Sequence, residues 1–331
     1  KGGEIEYCHH NAQLSKMKDN VWCLDVFLPD FIRVAVQKKM WWFTSFNYDS
    51  VINAIKEACN YLKINDSILL LQNPMAVGTA KKLQFKKVAF DAIDNWLYHP
   101  QMPDKQLIKE NYSYIDSRAD LIMTVSKALL DTFPMNKNKH WIPNGVDVEY
   151  FHPAIKKAKE DKITIGYVGK IQDRVDFDLV ERCLKKFTEV HFVFLGPAYS
   201  QKERIKDLEN KYTNITFKGD VHYKKLPYEM KCFDIAIIPH KVDEFTNSMN
   251  PLKLYEYLAA GKPVVTTGVA GTNSISTYVR CADSYETFIY EVEQLINEIK
   301  MINPMDVVNS VPADCTWTNR TNLMIDCFKK L

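Results

Sequence analysis

No apolar run in this 331-residue sequence approaches the ~20 residues that a membrane-spanning helix needs, and no signal-peptide pattern stands at its start. An excess of basic charge is also missing, because 43 Lys and Arg residues are balanced by 41 Asp and Glu residues, for a formal net charge of +2. This balance argues against a general nucleic-acid-binding protein, which would usually carry a basic excess. No CxxC motif and no paired Cys/His spacing occurs among the eight cysteines.

The composition that is present is ordinary for a soluble globular protein. Hydrophobic residues make up 46% of the chain and charged residues 25%, which is enough to bury a sizeable core. The length favours two domains or one large one. The scattered cysteines indicate reduced packing residues, and we therefore expect a cytoplasmic location.

Short apolar, β-rich runs alternate with longer helical patterns, which is typical of βα units around a parallel sheet. Buried parallel strands should read as continuous apolar runs, as residues 68–71 and 235–238 do. The predicted strands are Glu4–Cys8, Ser67–Leu71, Lys87–Ala92, Leu121–Ser126, His140–Pro143, Thr164–Val168, His191–Leu195, Asn214–Lys218, Asp234–Pro239 and Pro263–Thr267. The predicted helices are Asp49–Leu62, Asp104–Arg118, Phe177–Phe187, Lys202–Tyr212, Tyr255–Ala260 and Tyr285–Ile299.

The two halves of this α/β pattern are separated by turn and linker signals. Asn144-Gly145 is a turn signal, and the charged run Lys156–Lys162 indicates a solvated linker. We place the boundary near residues 151–160, between an N-terminal domain (1–150) and a C-terminal domain (151–331). We detect no internal sequence repeat, so the halves would share architecture only.

The start of the sequence departs from a doubly wound domain, which normally opens with a buried strand and a Gly-containing turn. Here Gly3 leads directly into Glu4–Cys8, which resembles an inner strand without an upstream partner. We expect the first βα unit to be missing from this sequence.

The densest signal is the segment 250–265, which predicts a short helix with punctuated ends. Asn250 suits the N-cap, Pro251 the first helical position and Gly261 the C-terminal cap. A helix N-terminus suits a phosphate, Lys253 would add a full charge, and Glu256 could accept hydrogen bonds from ribose hydroxyls. The alternative is a surface helix on which Lys253 and Glu256 form a weak ion pair.

This segment resembles the donor-site signature of the retaining glycosyltransferase family four, which has the GT-B fold and belongs to the glycosyl transferases group 1. The resemblance extends over most of the chain, and its order and spacing are more specific than any single motif. Its other landmarks are Thr124-Val125-Ser126, Ile142-Pro143-Asn144-Gly145-Val146-Asp147, Ile165-Gly166-Tyr167-Val168-Gly169 with Arg174, Phe194-Leu195-Gly196, Phe217-Lys218-Gly219 and Leu226-Pro227.

The resemblance implies two Rossmann-like domains that face each other across a cleft, and it implies roles for individual residues. Glu256 would bind the donor ribose, Gly169 would let its loop approach the diphosphate, and Arg174 and Lys253 would stabilise the leaving group. The nucleobase would lie at 221–223. The donor-binding set is then Gly169, Val221, Tyr223, His240, Ser248, Asn250, Pro251, Leu252 and Glu256.

One position departs from the family pattern. Many members carry a glutamate eight residues before the second one, and Ser248 stands there in this sequence. Ser248 and Asn250 supply only neutral hydrogen bonds near the transferred sugar, which leaves the role of that first glutamate open here.

In the first domain, Asp91 and Asp94 follow a predicted strand, at the end that faces the crevice of doubly wound sheets. Asp94 is our third candidate catalytic residue, beside Arg174 and Lys253, because it could orient an acceptor hydroxyl or the donor sugar. Capping of the next helix is an equal alternative. Residues 72–74 could line the same cleft, although we favour a loop turn.

Four further features have a simpler explanation than chemistry. Asp176 and Asp178 form an Asp-x-Asp pattern, but they open a predicted helix, so we favour N-capping and predict no metal. His9-His10 is expected to be solvated, and for His240 a donor-cleft role and a structural role stay open. Residues 38–43 could touch an anionic membrane surface, but we favour a basic loop followed by a core strand.

We therefore expect a metal-independent, cofactor-free retaining glycosyltransferase. A nucleoside diphosphate sugar would bind the second domain, and a glycan or lipid-linked saccharide acceptor the first, with no nucleic acid as partner and peripheral contact with the inner face of the membrane left open. A sugar-nucleotide epimerase of the same fold is one alternative. A catalytically silent sugar-nucleotide-binding partner is the other.

Overall fold

The computed structural model describes residues 3–9, 11–100, 102, 104–156, 162–269, 272 and 275–331. The chain forms two compact units. The first comprises Lys1–Thr124, Leu129–Trp141 and Lys330–Leu331, and the second comprises Val125–Ala128 and Ile142–Lys329. The second unit thus begins before the predicted boundary at 151–160. Of the predicted charged linker, residues 157–161 lie outside the described part of the chain.

The first unit opens with a three-stranded antiparallel sheet in the order β1 (Glu4–His9), β2 (Ala12–Lys18) and β3 (Val21–Val26). The prediction of Glu4–Cys8 as an inner strand of the parallel sheet is therefore wrong, because this strand pairs only with β2 at the edge of a separate sheet. A tight turn at Asp19-Asn20 connects β2 to β3, and the two strands pair as an antiparallel hairpin. Antiparallel strands can be joined by so short a connection, whereas parallel strands cannot.

A separate parallel sheet in the first unit has four strands in chain order, β4 to β7, each paired with the next. All four were predicted. The segment 38–43 does not form a loop and a core strand as predicted, because most of it lies in a helix with a single buried side chain, Phe43. The strands are β4 (Ile68–Leu71), β5 (Lys87–Ala92), β6 (Leu121–Thr124) and β7 (Lys139–Trp141), and the helices are α1 (Phe31–Gln37), α2 (Lys39–Thr44), α3 (Asp49–Tyr61), α4 (Val77–Lys82), α5 (Lys105–Arg118) and α6 (Lys127–Leu130), the last of which extends across the division between the units.

The second unit is built on a six-stranded sheet in which every neighbouring pair is parallel. Its strand order is β10-β9-β8-β11-β12-β13, which is the 3-2-1-4-5-6 order of the Rossmann fold. The strands are β8 (Thr164–Val168), β9 (His191–Leu195), β10 (Ile215–Phe217), β11 (Ile235–Ile238), β12 (Val264–Thr267) and β13 (Val279–Ala282). The helices are α7 (Val148–Phe151), α8 (Phe177–Lys186), α9 (Lys202–Lys211), α10 (Leu226–Met230), α11 (Leu252–Ala259), α12 (Tyr285–Glu298), α13 (Pro304–Asn309) and α14 (Trp317–Lys329).

The core of this unit covers both faces of the sheet. Along β9, Phe192 and Phe194 pack into one apolar cluster, whereas Val193 and Leu195 pack into the other. Strands that are buried on both faces have no polar positions to alternate with, which explains the continuous apolar runs in the sequence.

The end of helix α11 is capped as predicted, but its start is not. Pro251 has extended backbone angles and occupies the N-cap, so Asn250 lies one residue farther out than predicted. At the other end, the Gly261 N–H donates to Leu258 O and the Lys262 N–H to Tyr257 O. This pair of hydrogen bonds is the Schellman motif, which satisfies carbonyls that the helix leaves unpaired.

The chain enters the second unit beside its C-terminal helix. The Arg320 guanidinium on α14 is buried and donates to the carbonyls of Ile142 and Pro143. The Val146 N–H donates to Cys315 O at 3.0 Å. These bonds join the first residues of the segment 142–329 to its last helix.

Every cysteine whose side chain is described is a free thiol, in agreement with the expected reduced state. Within the described ranges, no helix has both the length and the apolar character that crossing a membrane requires.

Candidate donor site

The strand order of the second unit reverses between β8 and β11, which are neighbours in the sheet. In open α/β sheets, ligands bind at the carboxyl ends of the strands at such a switch point. Gly169 directly follows β8, and His240 follows β11 after Pro239. The predicted residues Gly169 and His240 therefore lie where this fold binds its ligands.

The side chain of Lys253, in the first turn of α11, reaches the residues at these strand ends. Its Nζ donates to the Tyr167 hydroxyl at 2.9 Å and lies 3.5 Å from His240 Nε2. The Tyr167 hydroxyl is 3.2 Å from the same histidine nitrogen, and Lys253 Nζ also lies 4.1 Å from the centroid of the Tyr167 ring. Three polar groups from three different elements thus meet at one point.

The electrostatics of this cluster favour an anion. Burial, reinforced by the Arg174 guanidinium, holds the pKa of Lys253 well below its usual range. Burial, together with the charges of Lys253 and Arg174, holds the pKa of His240 well below its usual range, so this imidazole is neutral at physiological pH. Arg174 Nε is buried and has no hydrogen-bond partner among the described residues. An anionic ligand would relieve the repulsion between the two cations.

Two glycines bring the β8 and β9 loops into close contact beside this cluster. Gly169 has a φ of +135°, and a Cβ atom there would lie 2.8 Å from Lys253 Nζ. Gly196 has a φ of +138°, and a Cβ atom there would lie 2.1 Å from Gly169 O. Both positions therefore require glycine, which leaves the backbone of the Gly169 loop open to a ligand.

Glu256, one turn after Lys253, is buried, with only 8% of its surface exposed. Burial raises the pKa of its carboxyl group to about 7, although the nearby Lys253 opposes the shift. The alternative of a solvated surface ion pair is therefore wrong for this helix, on which every residue from Leu254 to Ala259 is buried.

An aromatic pair lies within electrostatic reach of Glu256. The rings of Tyr150 and Tyr223 stack at 4.8 Å with an angle of 7° between their planes, and the Tyr150 hydroxyl donates to Tyr223 O at 2.7 Å. Burial raises the pKa of Tyr223 to about 12, and the Glu256 charge adds to the shift. Nearby Val221 packs against the apolar core.

The polar residues before α11 are already engaged with protein groups. The Ser248 hydroxyl donates to Phe245 O at 2.8 Å, and Asn250 donates to the Tyr255 hydroxyl and accepts from the Asn144 N–H. Pro251 and Leu252 form the start of α11. The side chains of Ser248 and Asn250 therefore stabilise this loop, whatever else they contact.

In the first unit, Asp91 lies in β5 and Asp94 follows it, and neither carboxylate caps a helix. The next helix, α5, begins at Lys105 and is capped by Asp104, so the capping alternative for Asp91 and Asp94 is wrong. Asp91 is buried and accepts a hydrogen bond from Gln72, and Asn73 caps a short 3₁₀ turn, which confirms the turn predicted there.

Asp94 lines a cavity of about 490 Å³ in the first unit. The indole of Trp96 and the imidazole of His99 stack in its wall, with ring centroids 6.3 Å apart. Trp96 Nε1 is buried without a hydrogen-bond partner among the described residues. The remaining lining residues are Lys39, Trp42, Phe43 and Met102.

The Asp-x-Asp pattern has the structural role that was predicted. Asp176 Oδ1 accepts hydrogen bonds from the N–H groups of Asp178 and Leu179 and so caps α8. In the part of the chain that the structure describes, no three His, Cys, Asp or Glu side chains gather as metal ligands would. His10 and the side chain of His9 lie outside the described residues.

Three residues of this site did not stand out in the sequence. Tyr167 belongs to a strand that reads as core, Tyr150 lies in the short helix α7, and Gly196 was noted only as a landmark. The Gly196-Pro197 dipeptide, directly after a predicted strand, was the one local signal for a special backbone there.

Comparison with known proteins shows which family part of the second unit resembles. Residues 162–298 match the family model for glycosyl transferases group 1. TuaH of Bacillus subtilis (strain 168), which carries the name of a teichuronic acid biosynthesis glycosyltransferase, is 30% identical over 185 residues. The match covers 54% of this chain and 44% of TuaH, so the chain spans less than half the length of this curated relative.

Solved structures show the fold of the whole chain. Sucrose-phosphate synthase from Thermosynechococcus elongatus superposes with a TM-score of 0.75 at 14% identity, covering 96% of this chain and 85% of that one. HepE from Anabaena, in complex with UDP-glucose, superposes with a TM-score of 0.65 at 12% identity, covering 85% of this chain and 82% of HepE. These likenesses confirm the predicted α/β fold of the GT-B type.

Proposed function

We propose that this protein transfers a sugar from a nucleoside diphosphate sugar to a glycan or lipid-linked acceptor, with retention and without a metal ion. The observation that carries the proposal is the convergence of Lys253 and Arg174 at the switch point of the second unit. Neither side chain forms an ion pair with a carboxylate among the described residues. Arg174 Nε is buried there without a hydrogen-bond partner. A diphosphate supplies the charge that this cluster lacks.

Each part of a nucleoside diphosphate has a matching group in the second unit. The diphosphate would lie against the open backbone of Gly169, with Arg174 and Lys253 as its cationic contacts. The ribose hydroxyls would donate to Glu256, and the base would lie near Val221 and Tyr223. The glycosyltransferase name of TuaH and the UDP-glucose complex of HepE, two similar proteins, support this class of donor.

The acceptor site we propose is the cavity of the first unit. Trp96 and His99 offer ring faces for the apolar C–H side of a sugar, and Asp94 can accept a hydrogen bond from a hydroxyl. A mostly apolar pocket with a few polar groups is the usual form of a small-molecule site.

The chemistry follows from charge. When the bond from sugar to phosphate breaks, negative charge grows on the departing diphosphate, where Arg174 and Lys253 stabilise it. His240 is neutral and therefore serves as a hydrogen-bonding neighbour of Lys253 rather than as a cation. With Glu256 assigned to the ribose, front-face attack assisted by the departing phosphate explains retention without a protein nucleophile.

Calorimetry of two variants tests the donor assignment. Glu256→Gln should weaken binding of nucleoside and nucleotide alike by about ten- to a hundredfold, because a charge-assisted hydrogen bond contributes roughly 1.5–3 kcal/mol. Lys253→Ala should weaken binding of the diphosphate and lower turnover, with little effect on the nucleoside. Glu209→Gln, which makes the same change on the exposed face of α9, should alter none of these values.

Product analysis then separates the reaction classes. Release of nucleoside diphosphate with sugar on the acceptor supports transfer. Conversion of the donor to its epimer would contradict the proposal in favour of an epimerase, and tight binding without turnover of any donor and acceptor pair would point to a silent binding protein. An unchanged affinity of Glu256→Gln for nucleoside and nucleotide would contradict the assignment of Glu256 to the donor ribose.

A further inference from the structure

Helix α1 has no buried residue, although most of its residues are apolar. Phe31 is 85% exposed, Ile32 80% and Val36 75%. Single exposed apolar side chains are normal on a protein surface, but an exposed cluster of large ones indicates an interaction site. Phe27, just before the helix, is 61% exposed and adds to this cluster.

The apolar residues of α1 share one broad face. At 3.6 residues per turn, Val34, Phe31, Ile32 and Val36 fall on a continuous arc of the helix surface. Arg33 and Gln37 occupy the remaining arc. This is the pattern of an amphipathic helix that lies flat in an interface.

Basic residues outnumber acidic ones in α1 and the residues that flank it. Residues 31–48 contain Arg33, Lys38 and Lys39 and neither Asp nor Glu. Asp30, directly before the helix, is already occupied, since it accepts from Trp41 Nε1 at 3.1 Å and lies 3.6 Å from Arg33. The segment therefore presents a net positive charge beside its apolar face.

We propose that α1 binds an anionic lipid bilayer, with its apolar face among the acyl chains and its basic residues at the headgroups. Apolar area and attraction to anionic lipid are the two contributions that hold such helices at a membrane. The half-exposed indole of Trp42, in the helix that follows, is a side chain typical of this boundary. The inference is independent of the donor site, whose residues all lie in the second unit.

Flotation with lipid vesicles tests the proposal. The full chain should bind vesicles of phosphatidylcholine with phosphatidylglycerol, bind phosphatidylcholine alone much more weakly, and dissociate as salt is raised. Phe31→Ser or Ile32→Ser should each weaken binding by about ten- to a hundredfold, and Lys38→Gln by about fivefold. Met301→Ser, which removes an apolar side chain that is 78% exposed in the second unit, should bind as the wild type does.

Other results would overturn the proposal. Binding that is equal for both kinds of vesicle, or unchanged in Phe31→Ser and Ile32→Ser, would do so. If the wild type ignores vesicles but forms dimers that Ile32→Ser dissociates in sedimentation velocity, the partner of α1 is a second copy of the chain. Because these side chains are exposed, the variants should keep the wild-type melting temperature and nucleotide affinity. These two measurements are the control that a loss of vesicle binding is not due to unfolding.

Discussion

At the scale of single residues, the proposed contact of Glu256 with the donor ribose should make donor binding depend on pH. Its pKa is raised to about 7 in the free protein, whereas ribose hydroxyls bind best to the ionised carboxylate. Nucleoside affinity should therefore be constant above about pH 8 and fall below about pH 7, by up to about tenfold per pH unit. Binding favours the ionised form and so releases a proton.

Titration calorimetry with a nucleoside, which carries no phosphate to titrate, measures this dependence. Glu256→Gln provides the control, because its weaker affinity should not change with pH. A wild-type affinity that stays flat from about pH 6 to about pH 8 would contradict the assignment of Glu256 to the ribose.

The positions of the donor residues could be predicted better than their surroundings. The proximity of Lys253 and Glu256 follows from their spacing within one helix, whereas Gly169 was suggested by the family resemblance. The contacts of Lys253 with Tyr167 and His240 could not be predicted, because they join residues up to 86 positions apart in the sequence. Burial of Glu256 depends on packing around α11, which the sequence pattern alone left open between a site and a surface ion pair.

At the scale of elements, Glu181 joins α8 to α9 through a network of charged hydrogen bonds. Its carboxylate accepts from Lys211 and Tyr212 at 2.7 Å and from Arg204 at 2.6 Å. These bonds hold its pKa well below the usual range. Glu181→Gln should therefore lower the free energy of unfolding by about 1–2 kcal/mol at neutral pH.

The same network sets the behaviour in acid. A depressed pKa stabilises the fold above the unfolded-state value of about 4.3, and this contribution is lost as the pH falls through the folded-state value. Urea unfolding of wild type and Glu181→Gln should thus converge in strong acid, whereas Glu209→Gln should follow the wild type throughout. A difference that persists in acid would mean that the substitution acts by altered packing.

Parallel strands were the elements that the sequence predicted best. Lys87–Ala92, Thr164–Val168 and His191–Leu195 have the predicted bounds, because strands buried on both faces leave an unmistakable apolar run. The hairpin strands β2 and β3 and the helices α1 and α2 were missed. The apolar residues of α1 are all exposed, so the usual relation between an apolar pattern and burial does not hold for that helix.

At the scale of the whole molecule, catalysis should not depend on a divalent metal ion. In the proposed donor site, Arg174 and Lys253 would balance the charge of the diphosphate, which a metal ion does in other enzymes. Turnover should be unchanged in EDTA and in added magnesium or manganese. Complete loss in EDTA, with recovery on addition of metal, would contradict the prediction.

The architecture of the second unit could be predicted from its alternation of strands and helices, and the fold comparison confirms it. The division between the units could not be placed by composition. The chain passes into the second unit for Val125–Ala128, returns for Leu129–Trp141 and enters again at Ile142, and a linear search for one linker cannot describe such a path.

The hydrogen bonds from Arg320 to Ile142 and Pro143 hold the start of the segment Ile142–Lys329 beside its last helix, so the two ends of this segment lie close together. A module of this kind can be exchanged between genes, or have its chain reopened elsewhere, without rethreading its sheet. Recombination could thus join this segment to different partner domains.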